Sequence, residues 1–240
     1  MEEKIVRYYY NFKFKDGSVH NSVLHLSSNR IKLVKDGTEE EMKKPDWARL
    51  KYFQCENCIL DEEVHKYCPV TVNLIDVIDT FKDVESTEIV EVTVKTPERE
   101  FYSKVAVQKA ISSLMGIYMG ISDCPILGKF APMARFHLPF STVEETMYRT
   151  ISNYLLAQYY IDEEGLKPDW KLDGLKKFYD EVAKVNTALC ERVRSVSARD
   201  ANVNAVIFLD NFAKNITFLI DVVLKKIKPI FQKYIDDARE

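Results

Sequence analysis

Four metal-ligand side chains fall within fourteen residues, as Cys55-Glu-Asn-Cys58 followed by His65-Lys-Tyr-Cys68. Each half sets two ligands three residues apart, so one turn of backbone aims both at a single ion. Three thiolates and an imidazole are the donor set of a closed tetrahedral zinc site. The loop is polar and has little local core to order it, and a metal tying its ends together supplies that folding energy. The spacing therefore predicts a zinc staple at Cys55, Cys58, His65 and Cys68.

Two other readings of the run stay open. Cys68-Pro69 and Cys124-Pro125 are both Cys-Pro steps, and exchanging His65 for Cys124 gives three clustered cysteines plus one distant one. That set suits an iron-sulfur cluster as well as zinc. Alternatively, the cysteines are reduced and structural and His65 lies on the surface. Ile59 and Leu60 follow Cys58 where zinc knuckles usually carry glycine or a basic residue. Glu56, Asp61, Glu62 and Glu63 crowd the thiols with negative charge, which disfavours free thiolates unless a cation relieves it. A redox C-x2-C is the least supported reading, since it leaves the third cysteine without a role.

The rest of the chain bounds the answer. Its 240 residues are 46% hydrophobic and 30% charged, with 7 Gly and 8 Pro, which suits one large domain or two small ones around a sizeable core. The net charge of -3 argues against a surface that tracks nucleic-acid phosphates. The start, Met1-Glu2-Glu3-Lys4, is unlike a signal peptide, and no apolar run approaches the ~18 residues of a membrane span. The expectation is a cytoplasmic protein, where five cysteines stay reduced. The acidic run Glu39-Glu40-Glu41 reads as a solvated loop.

Hydropathy patterning predicts an α+β chain. Residues 4–15 alternate, Asp16-Gly17 signals a hairpin, and residues 19–26 return. A short third strand is expected over 31–34, ending at Asp36-Gly37. Val70 to Phe81 has helical spacing, 89–94 and 101–105 read as strands, and 107–121 as a helix with Gly116 and Gly120 on one face for close approach by a neighbour. From Ser141 the pattern is helical. Thr142 and Glu145 fit a capping box, with Ser141 and Glu144 as the other register. Asp173 is placed to cap a second helix, whose apolar stripe runs through Leu175, Phe178, Val182, Val185, Leu189, Val193 and Val196. A third helix is expected from about Asp200 to Lys228, with Pro229 ending it. The expected architecture is therefore N-terminal antiparallel β hairpins with helices and the Cys/His loop over 1–135, then an antiparallel helical bundle over 136–240, packed as one unit.

No phosphate-cradling glycine loop and no hydrolase or metalloprotease motif is present. Glu62 and His65 form one Glu-x-x-His pair, too few for a di-iron bundle. His137 lies among apolar neighbours and reads first as a satisfied core histidine, as Cys190 reads as a small buried hydrophobe. Asp200, Asn204 and Asn211 read as helix capping and solvated face, or as a polar pocket shared with Arg135 or Arg149.

The residues Cys55-x-x-Cys58, His65-Lys-Tyr-Cys68-Pro69-Val70-Thr-Val-Asn73-Leu74, Cys124-Pro125, Arg135-Phe136-His137-Leu138-Pro139-Phe140 and Asp200-Ala-Asn202-Val-Asn204 resemble an uncharacterised family of bacterial cytoplasmic proteins. The resemblance spans most of the chain. It implies one integrated unit rather than a finger appended to a bundle, and implies no chemistry. The functional expectation is a metal-stabilised regulatory or interaction protein without catalysis. It would carry zinc and engage a protein partner or a second copy through its aromatic-rich surface (13 Tyr and 13 Phe). The alternatives are an iron-sulfur redox or sensor protein, and a small-molecule-binding enzyme with a pocket near Arg135 and His137.

Overall fold

Alternating apolar and polar residues lay down a β-strand with one dry face. In the computed structural model, which describes residues 5–27, 31–33 and 44–240, strand β1 (Ile5–Lys13) buries Val6, Tyr8, Tyr10 and Phe12 and exposes Arg7, Tyr9 and Lys13. The Asp16-Gly17 turn returns the chain into β2 (Val19–Ser27). Gly17 takes φ +89°, a conformation that a Cβ disfavours, and Asp16 Oδ1 accepts from the Ser18 N–H at 2.8 Å. β3 (Ile89–Lys95) and β4 (Glu100–Ala106) form the second hairpin. The antiparallel sheet has the order β2-β1-β3-β4, with Tyr10 opposite Val94 and Phe12 opposite Val92.

Two helices cover the dry face. α1 (Pro69–Phe81) starts with proline at its first position, which costs no intrahelical bond. Its Phe81 ring packs 4.9 Å from Phe12. α2 (Val107–Gly120) sets Ser113 and Tyr118 against hydroxyls of the sheet. After a short helix α3 (Ala131–Arg135) come α4 (Val143–Glu163), α5 (Asp173–Arg194), α6 (Ala201–Lys214), α7 (Ile216–Ile227) and α8 (Gln232–Asp237). The Thr142/Glu145 capping box forms as read from the sequence.

Three expectations change. The single third helix is two, because the chain breaks at Asn215, whose side-chain amide donates to the Asn211 carbonyl at 2.7 Å in competition with the helix ladder. Asp173 lies in the first turn of α5 rather than capping it. The loop is instead tied by Asp169, whose carboxylate accepts from the Gly174 N–H at 2.6 Å and the Tyr154 hydroxyl at 3.0 Å. The third strand reduces to one bridge between Leu33 and Leu26, with Val34, the Asp36-Gly37 turn and the Glu39–Glu41 run outside the described residues. Helix α6 packs against both α5 and α2. One hydrophobic core continues from Val6 of β1 to Ile227 of α7. Among the described residues, no helix is long and apolar enough to cross a membrane.

Candidate functional site

Two neighbourhoods meet on α5. The first contains the cysteines. Cys55 and Cys58 bracket a tight turn closed by the Cys58 N–H to the Cys55 carbonyl at 3.0 Å. Asn57, within that turn, donates to Glu181 Oε2 at 2.6 Å and so ties it to α5. Cys68 occupies the N-cap of α1, and its N–H donates to the Ala48 carbonyl at 2.9 Å. Cys124 follows α2 and accepts from the Gly128 N–H at 2.9 Å through its backbone carbonyl. All four side chains are half-buried. Burial pushes the Cys55 thiol up to about 12, with smaller contributions from neighbouring cysteines and an opposing one from Arg192. Burial also raises Cys124, and Cys68 and Cys58 act on it too.

His65 stands apart. It is exposed on the loop, and its backbone N–H closes a turn on the Asp61 carbonyl at 2.7 Å. The structure leaves the local histidine in solvent, apart from the half-buried thiols. Among the described residues, no group of three or more His, Cys, Asp or Glu side chains is set to hold a metal ion as it stands.

Beside the thiols lies a residue that the sequence reading missed. Arg192 is 2% exposed. Its Nη1 donates to the carbonyls of Trp47 at 3.2 Å and Arg49 at 2.7 Å, Nη2 to that of Leu50 at 2.6 Å, and Nε to that of Phe53 at 3.2 Å. Burial lowers it from the ordinary guanidinium value, and Cys68, Cys55 and Cys58 are the leading charges that act the other way. Among the described residues, no carboxylate pairs with it. A signal was present. Strict three-four alternation after Val182, Val185 and Leu189 lands on Arg192 before Val196, so a charge stands at a stripe position.

The second neighbourhood is a cavity of about 540 Å³ bounded by α2, the segment through α3, and helices α4 to α7. That volume falls within the range of small-molecule sites. Its wall is mostly apolar, with Ile117, Phe130, Met133, Phe140, Phe208 and Leu219 among its members. Lys109 and Arg149 carry its charge, and no Asp or Glu is among the lining residues described. Arg149 Nη2 donates to the carbonyls of Met133 at 2.8 Å and Phe136 at 2.7 Å, which fixes the linker as one wall. Asn186 is 2% exposed, lines the cavity, and has a buried Oδ1 that no donor reaches. Gly116 also lines it, and a Cβ there meets nothing within 4 Å. Gly120, on the same face, fulfils the expected close approach instead, since its Cβ would stand 3.1 Å from Phe130 Cβ.

His137 is on the cavity wall and Arg135 is not; Arg149 supplies the guanidinium there. His137 Nε2 is 2.6 Å from the Tyr10 hydroxyl and 3.3 Å from that of Ser113, which are themselves 3.2 Å apart. Burial, with the charge of Arg149, lowers the imidazole to about 3, so it is neutral at physiological pH. Of the polar residues along the third helical stretch, Asp200 accepts from the Ser86 N–H and hydroxyl at 2.7 and 2.8 Å, while Asn211 reaches the cavity wall.

Residues 8–232 match a family described as Domain of unknown function (DUF6901). The chain belongs to this family. The match runs from β1 into the start of α8, so both the cysteines and the cavity lie inside the family's domain. Comparison with curated proteins and with solved structures finds no match.

Proposed function

We propose that this protein binds a small anionic amphiphile in the cavity between α2 and the helical half. The observation that supports the reading most is the composition of the wall: apolar surface around about 540 Å³, positive charge from Lys109 and Arg149, and one buried acceptor, Asn186 Oδ1, without a donor. Such a wall selects an apolar body, an acidic group for the cations and a hydrogen-bond donor for Asn186. His137 favours binding over catalysis, because an imidazole held near 3 is a weak base at neutral pH.

The anionic dye 1-anilinonaphthalene-8-sulfonate has all three features: an aromatic body, a sulfonate and an N–H donor. The expected result is saturable binding of one dye per folded chain, blocked by Gly116→Leu and weakened by Lys109→Met. Dye uptake that is unsaturable, or unchanged in folded Gly116→Leu protein, rules the cavity out as the site.

A further inference from the structure

We propose that α7 and the tail that follows it dock on the surface of a bilayer carrying anionic lipids. The inference is independent of the ligand cavity. It rests first on the two faces of α7. At about 100° per residue, Ile216, Ile220, Val223 and Ile227 fall within one arc of the helix, and all four are buried in the core. Phe218, Val222 and Lys225 fall on the opposite side. Phe218 is 68% exposed and Val222 43%. The helix is held by one face and offers apolar side chains beside a cation on the other.

Beyond Ile227 the exposed surface widens. A 3₁₀ turn over Lys228–Phe231, with Pro229 in its first positions, leads into α8, and neither has a buried residue. Ile230 is 76% exposed and Tyr234 78%. The second observation is charge. Residues 222–235 hold Lys225, Lys226, Lys228 and Lys233 and no Asp or Glu. The chain as a whole carries -3, so with +4 in this stretch the remainder carries -7. Lys226 pairs with Glu144 at the start of α4. Among the described residues, Lys225, Lys228 and Lys233 have no carboxylate within ion-pair distance. Asp236, just past the stretch, already accepts from Arg239 at 2.9 Å and Gln232 at 2.8 Å.

Apolar surface and charge together choose the occupant. A contiguous exposed apolar patch marks an interaction site. In the interface of a bilayer, aromatic rings sit at headgroup level, aliphatic side chains reach the acyl boundary, and lysines meet anionic headgroups. Phe218, Val222, Ile230 and Tyr234 supply the first two, and the unpaired lysines the third. Nucleic acid would use the lysines and leave Val222 and Ile230 in water. A second copy docked two-fold through the same patch would set its lysines against themselves.

The test is co-sedimentation of the full chain with vesicles of phosphatidylcholine, and with vesicles of phosphatidylcholine and phosphatidylglycerol in equal parts. The expected result is binding to the mixed vesicles, none to phosphatidylcholine alone, and release as added salt screens the lysines. Ile230→Ser combined with Tyr234→Ser should abolish binding, and the exposure of both side chains lets the fold survive. Lys228→Gln and Lys233→Gln should each weaken it about fivefold. Leu156→Ser combined with Tyr160→Ser removes exposed apolar surface from α4 instead and should leave binding intact. Wild-type protein that ignores the mixed vesicles, an Ile230/Tyr234 variant that binds them like wild type, or an α4 variant that loses binding equally, each overturns the proposal. So does self-association in sedimentation velocity, without vesicle binding, that the Ile230/Tyr234 variant loses; that result assigns the patch to a second copy. Oligonucleotide binding in place of vesicle binding, lost in the lysine variants and kept in the Ile230/Tyr234 variant, overturns it in favour of nucleic acid.

Discussion

Helix α5 carries two buried polar side chains less than two turns apart, Asn186 and Arg192, and each is 2% exposed. Arg192 spends its donors on four carbonyls and has no carboxylate partner. Asn186 leaves its Oδ1 without a donor at the edge of a cavity. The first arrangement satisfies geometry and leaves charge unanswered; the second leaves a hydrogen bond unmade. Buried polar groups in folded proteins normally find partners. Asn186 departs from that rule at a cavity edge, whereas Arg192 meets it through the backbone alone.

The largest effect expected from breaking this contrast is at Arg192. Arg192→Met removes the guanidinium from four carbonyls, those of Trp47 and Leu50 in buried bonds, and should destabilise the fold by about 3–5 kcal/mol in urea unfolding. A loss under about 1 kcal/mol would show that the segment 47–53 is held by other means.

Next comes the pH dependence of the cavity wall. His137 is held down to about 3 in the fold, and an unperturbed imidazole titrates near 6.5. Above about pH 6.5 both states are neutral and the histidine leaves stability unchanged. Between 6.5 and 3 the unfolded chain takes the proton first, so stability falls with pH, by on the order of 2–4 kcal/mol at the low end. His137→Gln should flatten the upper part of that slope, between about pH 6.5 and 5, where carboxylates contribute least. An unaltered slope there would assign the acid sensitivity to other groups.

The two glycines of α2 sharpen the comparison between packed and open surface. Gly120→Ala meets Phe130 Cβ at 3.1 Å and should cost about 1–3 kcal/mol. Gly116→Ala meets nothing within 4 Å and should gain about 0.5–1 kcal/mol through helix propensity. Thermal unfolding of the pair measures both, and equal shifts would mean that the cavity wall closes over Gly116. The smallest effect is at Asn186. Asn186→Leu removes an unmade hydrogen bond and should change stability by less than about 1 kcal/mol while weakening dye binding. A cost of ~2 kcal/mol or more would reveal a partner for its amide.

What could be read from the sequence follows the range of the interactions. The Asp16-Gly17 hairpin, the alternation of β1, the helix over Pro69–Phe81 and the Thr142/Glu145 cap each depend on residues within a turn or two. The local C-x2-C…H-x2-C spacing suggested His65, because a distant cysteine cannot compete on proximity along the chain. Cys124 follows α2 and Cys68 caps α1, so how the two lie depends on α1 packing against α2. The cavity was less legible still. Its wall is drawn from α2 through α7, and the Arg-Phe-His segment with Arg149 and Asn211 hinted at it. The break at Asn215 needed a side-chain bond to a helix carbonyl, which hydropathy does not encode.

The sheet order has a consequence for how the chain acquires its shape. β1 is the first described element, yet it sits inside the sheet between β2 and β3. Its hairpin with β2 closes locally, whereas its other edge pairs with residues 91–95. On the ribosome that edge must wait while the cysteine loop and α1 are made. Long-range strand pairing of this kind is slow, and an open strand edge is prone to misassociation. The segment that carries Cys55, Cys58 and Cys68 is thus also the loop that sets the tempo of assembly, and anything that orders it early should shorten the time the β1 edge stays unpaired.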